Sequence, residues 1–155
     1  MVQTVWVAVL ALLIDRGGKI WALEWLAQQP DQRVAFWPGV FELRLVHNRG
    51  IAFSLFAGQT WLLVCLAVLA LASVVWILHA VLRGGVCRNA LIWLLLAGGV
   101  GNLIDRLLYG HVVDFMHLPW AFTFNFADVC ITVSAALLIA CLLRYPKDEN
   151  AREAV

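Results

Sequence analysis

Residues 60–82 read TWLLVCLAVLALASVVWILHAVL, and His79 is the only acidic or basic side chain among them. About 20 apolar residues carry a helix across the ~30 Å hydrocarbon layer of a bilayer, so this stretch reads as a membrane span. Two more apolar runs, about 90–109 and 123–143, follow it. One precedes it, about 4–26, interrupted by Asp15, Arg16 and Lys19. Composition agrees. The 155 residues are 63% hydrophobic and 14% charged, against about 45–50% and about 25% for ordinary soluble domains. A water-soluble fold of this size buries only about 70% of its chain's surface, too little to hide so much apolar area. The expected fold is therefore an all-α membrane protein, one membrane domain over 1–155 with four transmembrane helices. A formal net charge of +1 offers no basic surface for nucleic acid.

Four spans place both termini and the middle loop on one side. That loop, Arg83-Gly-Gly-Val-Cys-Arg88, is basic, and the tail 144–155 carries Arg144, Lys147 and Arg152. By the positive-inside rule these face the cytoplasm. A cleaved signal peptide fits the N-terminus poorly, because no positive residue precedes its apolar run. Trp61 and Trp120 then fall at the outer interface, and Trp6, Trp76 and Trp93 toward the inner one. The outer segment, about 28–59, holds Val40-Phe-Glu-Leu-Arg-Leu-Val46, which alternates apolar and polar residues through Leu45, the period of a half-buried strand. With Pro38-Gly39 as a turn before it and Asn48-Arg49-Gly50 as a turn after it, a small extracytoplasmic β-element is expected between helices 1 and 2. The cysteines show no C-x-x-C spacing and read as small buried hydrophobes.

Ionisable groups inside spans cost roughly 2.5–3.5 kcal/mol each at a helix centre, so each marks a candidate site. Here their depths coincide. At about 1.5 Å per residue, Asp15 and Lys19 lie in the outer half of helix 1. Asn102, Asp105 and Arg106, spaced i, i+3, i+4, share one face in the outer half of helix 3. Asn125 and Asp128 fall in the first turns of helix 4, and Asp114 in the connection before it. Gly98, Gly99 and Gly101 remove bulk from helix 3 and let a neighbour approach. Asp114 and Asp128 form a candidate catalytic pair: neighbouring carboxylates cannot both ionise easily, so they share a proton. The ionised partner takes a proton from water while the protonated one polarises a carbonyl, the scheme of aspartic proteases. Asn48, Asn102 and Asn125 are placed to hold substrate backbone and the developing oxyanion. Asp105–Arg106 and Asp15–Lys19 read as structural pairs. Plainer readings stand beside this one. Asp114 has the position of a solvated loop residue. His111, Asp114, His117 and Asp128 offer zinc-type ligands, though without an H-E-x-x-H pattern. His47 and His79 read as interfacial histidines. Intramembrane charges also occur in transporters, although no internal repeat is visible.

Four blocks, Asn48-Arg-Gly-Ile-Ala-Phe-Ser54, Gly98-Gly-Val-Gly-Asn-Leu-Ile-Asp-Arg106, Val112-Val-Asp-Phe115 and Phe124-Asn-Phe-Ala-Asp128, together resemble lipoprotein signal peptidase (signal peptidase II), in order and over nearly the whole chain. The resemblance implies a cofactor-free aspartic endopeptidase of the bacterial inner membrane, with no metal. It would remove the signal peptide from diacylglyceryl-modified prolipoproteins, cutting before the lipidated cysteine, with its site near the extracytoplasmic face. It implies Asp114 and Asp128 as catalytic, and Asn48, Gly50, Asn102, Arg106, Asn125, Asp15 and Lys19 as supporting residues. Membrane lipid, sensitivity to globomycin-type inhibitors and a monomeric state are expected with it. Helix 1 departs from the pattern: where the family usually has Asp-Gln-x-Ser/Thr-Lys, this chain has Asp15-Arg-Gly-Gly-Lys19. Arg16 is expected to point into the polar site or to snorkel outward, and Gly17-Gly18 to weaken the helix by about 1 kcal/mol each relative to alanine.

Overall fold

The computed structural model describes residues 2–50, 58–81 and 86–143. Residues 51–54 of the first block, Leu82 at the end of the second expected span, Arg83-Gly84-Gly85 of the basic loop and the tail with Arg144, Lys147 and Arg152 lie outside them. The described residues form four α-helices and four strands, with two short 3-10 turns at Leu26–Gln28 and Pro30–Gln32: α1 Val2–Glu24, β1 Arg33–Trp37, β2 Phe41–Asn48, α2 Thr60–Val81, α3 Val86–Tyr109, β3 Val112–His117, β4 Thr123–Phe124 and α4 Phe126–Leu143. Among the described residues, Asn89–Tyr109 of α3 is the one segment long and apolar enough to cross a membrane by length and composition. Thr60–Val74 and Phe126–Cys141 are shorter apolar stretches.

The helices are arranged around α3, which packs against α1, α2 and α4. Its glycines explain why. A Cβ on Gly98 would stand 2.5 Å from the Ala127 carbonyl oxygen of α4, and one on Gly101 2.6 Å from the Asp15 carboxylate of α1. Leu71 of α2 occupies the space over Gly99. Three helices thus meet α3 within one turn, each where a side chain is missing. Ala8, Ala11, Ala97 and Cys130 complete the small-residue seam between α1, α3 and α4. Polarity runs inside out: Trp6 is 67% exposed and Leu69 62%, whereas Lys19 is 0% exposed. That inversion suits a lipid surround, where tails are as apolar as leucine and polar groups need partners inside the protein. Cys65 and Cys141 belong to the exposed surface, and Cys130 is buried.

The chain is mostly helical, and the expected β-element extends beyond the segment between α1 and α2. A four-stranded antiparallel sheet runs in the order β1-β2-β3-β4, so the connection between α3 and α4 contributes half of its strands. β1 and β2 form a hairpin closed by the expected Pro38-Gly39 turn, with Gly39 at φ +77° and Val40 N–H donating to the Trp37 carbonyl. Positive φ at that turn position is what glycine supplies without steric cost. β3 escapes the alternation test because Val112, Val113, Asp114 and Phe115 are all buried, leaving no polar face to read. Val46 stands opposite Asp114, His47 opposite Val113 and Asn48 opposite Val112. Beneath the sheet, Leu45, Val113 and Phe115 pack on Ala22 of α1 and on Leu26 just after it. Phe115 also explains Gly18, whose absent side chain leaves room for its ring at 3.0 Å; nothing lies within 4 Å of Gly17.

Candidate active site

Helix α4 begins at Phe126 rather than at residue 123, because Thr123 and Phe124 pair with β3. Asn125 is therefore the residue that caps the helix, not a residue inside it. Its Oδ1 accepts the Asp128 N–H at 3.0 Å, and Asp128 Oδ2 accepts the Asn125 N–H at 3.2 Å. This is a reciprocal capping box, satisfying donors that the helix end would leave orphaned. It frees Asn125 Nδ2, which donates to Asp114 Oδ1 at 2.7 Å and to Asn102 Oδ1 at 3.1 Å.

The remaining contacts close a ring. Asn102 Nδ2 donates to Asp128 Oδ1 at 2.7 Å. Asn48 Nδ2, at the end of β2, donates to Asp114 Oδ2 at 3.0 Å, while its Oδ1 accepts the Gly50 N–H at 3.1 Å. Lys19 Nζ donates to Asn102 Oδ1 at 3.0 Å. Arg106 donates to the carbonyls of Asn102 and Gly50, both at 3.3 Å. Asp114 is 1% exposed, so it is not the solvated loop residue that its place in the sequence allows. Its carboxyl is pushed up to about 7, first by burial and then by the negative charge of Asp128, against opposing donors Asn48 and Asn125. A carboxylic acid tuned there exchanges its proton near neutrality.

Behind the ring lies a second polar cluster. Lys19 Nζ is 2.9 Å from Asp15 Oδ2, the expected helix-1 pair, and also 2.9 Å from Asp105 Oδ2. Asp15 Oδ1 accepts the Ala127 N–H at 2.9 Å, tying α1 to the start of α4. The expected Asp105–Arg106 pair does not form. Consecutive helical residues point about 100° apart, so Asp105 turns to Arg16 and Lys19 of α1 while Arg106 turns to Gly50. Arg16 neither enters the ring nor snorkels away; it crosses to Asp105. Local sequence patterns do not reveal this contact because its partners lie 89 residues apart; the available signal is a surplus cation and an acid intruding at similar depth on different helices.

The described histidine side chains find other partners. His117 Nδ1 lies 2.9 Å from Thr123 Oγ1. His111 meets His47 edge-on at 4.5 Å between ring centres, and burial, then the neighbouring His47, lowers its affinity for a proton. Among the described residues, no group of three His, Cys, Asp or Glu side chains is arranged to hold a metal ion. A cleft of about 440 Å³ opens beside the ring. Asn102, Arg106 and Asp128 form its polar end, and Leu63, Leu66, Ala70 and Val74 of α2 with Leu95 and Ile131 form apolar walls.

Residues 7–144 match the family model described as signal peptidase (SPase) II. The lipoprotein signal peptidase of Gloeobacter violaceus is 40% identical over 152 residues, covering 88% of this chain and 79% of that protein. That of Streptococcus pyogenes serotype M6 is 32% identical over 136 residues, covering 86% and 88%. A solved structure described as a bacterial membrane enzyme, obtained by the in meso method at 2.3 Å resolution, superposes with a TM-score of 0.81 at 25% identity, covering 96% of this chain and 90% of that one. Taken with the ring of carboxylates and amides, these likenesses carry one conclusion: the chain belongs to the signal peptidase II family, the membrane peptidases that remove signal peptides from prolipoproteins.

Proposed function

We propose that this chain is an aspartic endopeptidase working within the membrane, with Asp114 and Asp128 as its catalytic pair. It removes the signal peptide of diacylglyceryl-modified prolipoproteins by cutting before the lipidated cysteine. The observation that carries this reading is Asn125: its amide binds Asp114 while its backbone N–H and Oδ1 engage Asp128, so one residue holds both carboxyl groups. The pair shares a proton, and burial favours its residence on Asp114. Protonated Asp114 donates to the scissile carbonyl, and Asp128 takes a proton from the attacking water. The tetrahedral oxygen gains its hydrogen bond from Asp114, and the amine leaves with the proton held by Asp128. Asn48, Asn102 and Asn125 fix the two carboxyls without changing their charge.

The apolar cleft between α2, α3 and α4 suits a substrate that arrives sideways through lipid. A signal peptide is itself an apolar helix, and its acyl chains never need to leave the bilayer. Four spans, with both termini cytoplasmic, put the site near the extracytoplasmic face, where the lipidated cysteine also lies. Trp61, 76% exposed near the start of α2, and Trp120, 72% exposed beside the sheet, fit an outer interfacial level. The reading needs no cofactor, metal or second subunit, and it makes a globomycin-type cyclic peptide a competitor for the same cleft.

A gel-shift cleavage assay on a purified diacylglyceryl-modified prolipoprotein tests it. Asp114→Asn and Asp128→Asn should each lower cleavage by about 10²–10⁴-fold while remaining folded in detergent, and a chelator should leave the wild type active. Cleavage surviving either substitution would remove the pair from the chemistry. Chelator-sensitive cleavage would hand it to a metal.

A further inference from the structure

Asp105, 0% exposed on α3, joins three groups. Its Oδ1 is ion-paired with Arg16 Nη1. Its Oδ2 meets Lys19 Nζ at 2.9 Å and accepts the Val113 N–H at 3.1 Å. Val113 is the residue before Asp114 in β3, so this bond sets where the strand carrying Asp114 rests on α3. Arg16 is held in turn by Tyr109: Nη2 lies 3.4 Å from the phenol oxygen, and the guanidinium carbon stands 6.0 Å from the ring centre. We infer that Arg16 is a positioning residue for the catalytic pair, aligning Asp105 so that it anchors Val113 and balancing the buried charge behind the site. The inference rests on the catalytic reading of Asp114 and Asp128.

Two consequences separate this role from general support. The first is geometric. Two donors on Asp105 Oδ2 fix that oxygen only while the other one is held, and a planar guanidinium gripped by both Asp105 and Tyr109 holds it in a way a flexible ammonium does not. The second is electrostatic. Asp15 and Asp105 face Arg16 and Lys19, two charges of each sign. Without Arg16, Lys19 alone would serve both acids, and its ammonium would be drawn from Asn102, which carries Asp128 and Asn125. The charged groups around Asp114 are Asp128 from α4, Lys19 from α1, and Arg106 with Asp105 from α3; His47 on β2 is exposed and packs on His111. An uncompensated negative charge in this cluster makes the pair hold its shared proton to higher pH.

The test is the pH profile of prolipoprotein cleavage by the purified full-length enzyme, with kcat and KM measured separately. Arg16→Gln should lower kcat roughly tenfold with little change in KM, and move the profile up by about half a pH unit. Arg16→Lys should keep the wild-type profile with a lowered kcat. Arg16→Gln combined with Asp105→Asn removes one charge of each sign and should return the profile toward wild type. Unchanged kcat and profile in Arg16→Gln overturn the inference, as does a shift that neither Arg16→Lys nor the double variant reverses. Should Arg16→Gln fail to fold, the other two variants decide: a shifted profile in either overturns it. Undiminished cleavage by Asp114→Asn would instead refute the catalytic reading beneath it.

Discussion

Two buried polar clusters sit side by side in this bundle, and both hold two carboxyl groups. Behind, Asp15 and Asp105 are bound by Lys19 and Arg16. In front, Asp114 and Asp128 are bound by the amides of Asn48, Asn102 and Asn125. The choice of donor decides what each cluster can do. Cations pair with the rear carboxyls and, together with the Ala127 N–H on Asp15, tie α1 to α3 and α4. An amide is neutral and orients a carboxyl in either protonation state, which suits the front pair to the proton transfer of the proposed mechanism. The two clusters meet side chain to side chain at Lys19 and Asn102, and Asp105 and Asp15 also hold the backbone at Val113 and Ala127, beside the front carboxyls.

The sharpest way to break that division is to take the cation from the rear cluster. Lys19→Met leaves Asp15 without its ammonium and Asp105 with Arg16 alone. Stranding one member of a fully buried ion pair costs about 3–5 kcal/mol. Thermal unfolding in detergent should show that loss, and Asp15→Asn added to Lys19→Met should recover part of it. If Lys19→Met unfolds like wild type, the rear cluster is not what holds α1 in place.

Next in size is a pH effect that belongs to the front cluster. Asp114 moves from an ordinary value of 3.8 to about 7 in the folded chain. Between those values the folded protein binds a proton that the unfolded chain has released. Stability therefore declines as pH rises from about 4 to about 7, by roughly 4 kcal/mol at most, and levels off above. Asp114→Asn cannot lose a proton and should flatten this slope. Stability measured against pH for both proteins checks it; parallel curves would mean that Asp114 is not the group held protonated.

Much of this division is legible in the amino-acid sequence. Charges inside apolar runs stand out because lipid makes them expensive, and helical spacing puts Asn102 and Asp105 on one side of α3. The strand β2 shows itself through alternation in Val40–Val46. The features that escape sequence reading share a cause. β3 is buried on both faces, so Val112-Val-Asp-Phe115 carries no period, and half of the sheet leaves no local signal. Arg16 and Asp105 meet across helices, which no local pattern encodes. The Asn125–Asp128 spacing is visible, but its meaning changes once Thr123 and Phe124 are paired to β3: what reads as two residues on one helix face is a cap and its partner.

The smallest effect tests whether the amides around the front pair are equivalent. Asn125 binds both carboxyl groups and caps α4, whereas Asn48 binds Asp114 alone, from the end of β2, and is partly exposed. Asn48→Ala removes one donor from Asp114 Oδ2 and the acceptor for the Gly50 N–H, while Asn125 still holds Oδ1. A hydrogen bond to a charged acceptor is worth about 1.5–3 kcal/mol, and a neutral one about 1 kcal/mol. If Asp114 holds the shared proton when substrate binds, the lost donor served a neutral group. The expected loss in kcat/KM is then about 1 kcal/mol, roughly fivefold. A loss of a hundredfold or more would mean that Asn48 serves an ionised Asp114, and would exchange the roles of acid and base between the two aspartates. Comparing Asn48→Ala with wild type in the cleavage assay thus reads which carboxyl carries the proton.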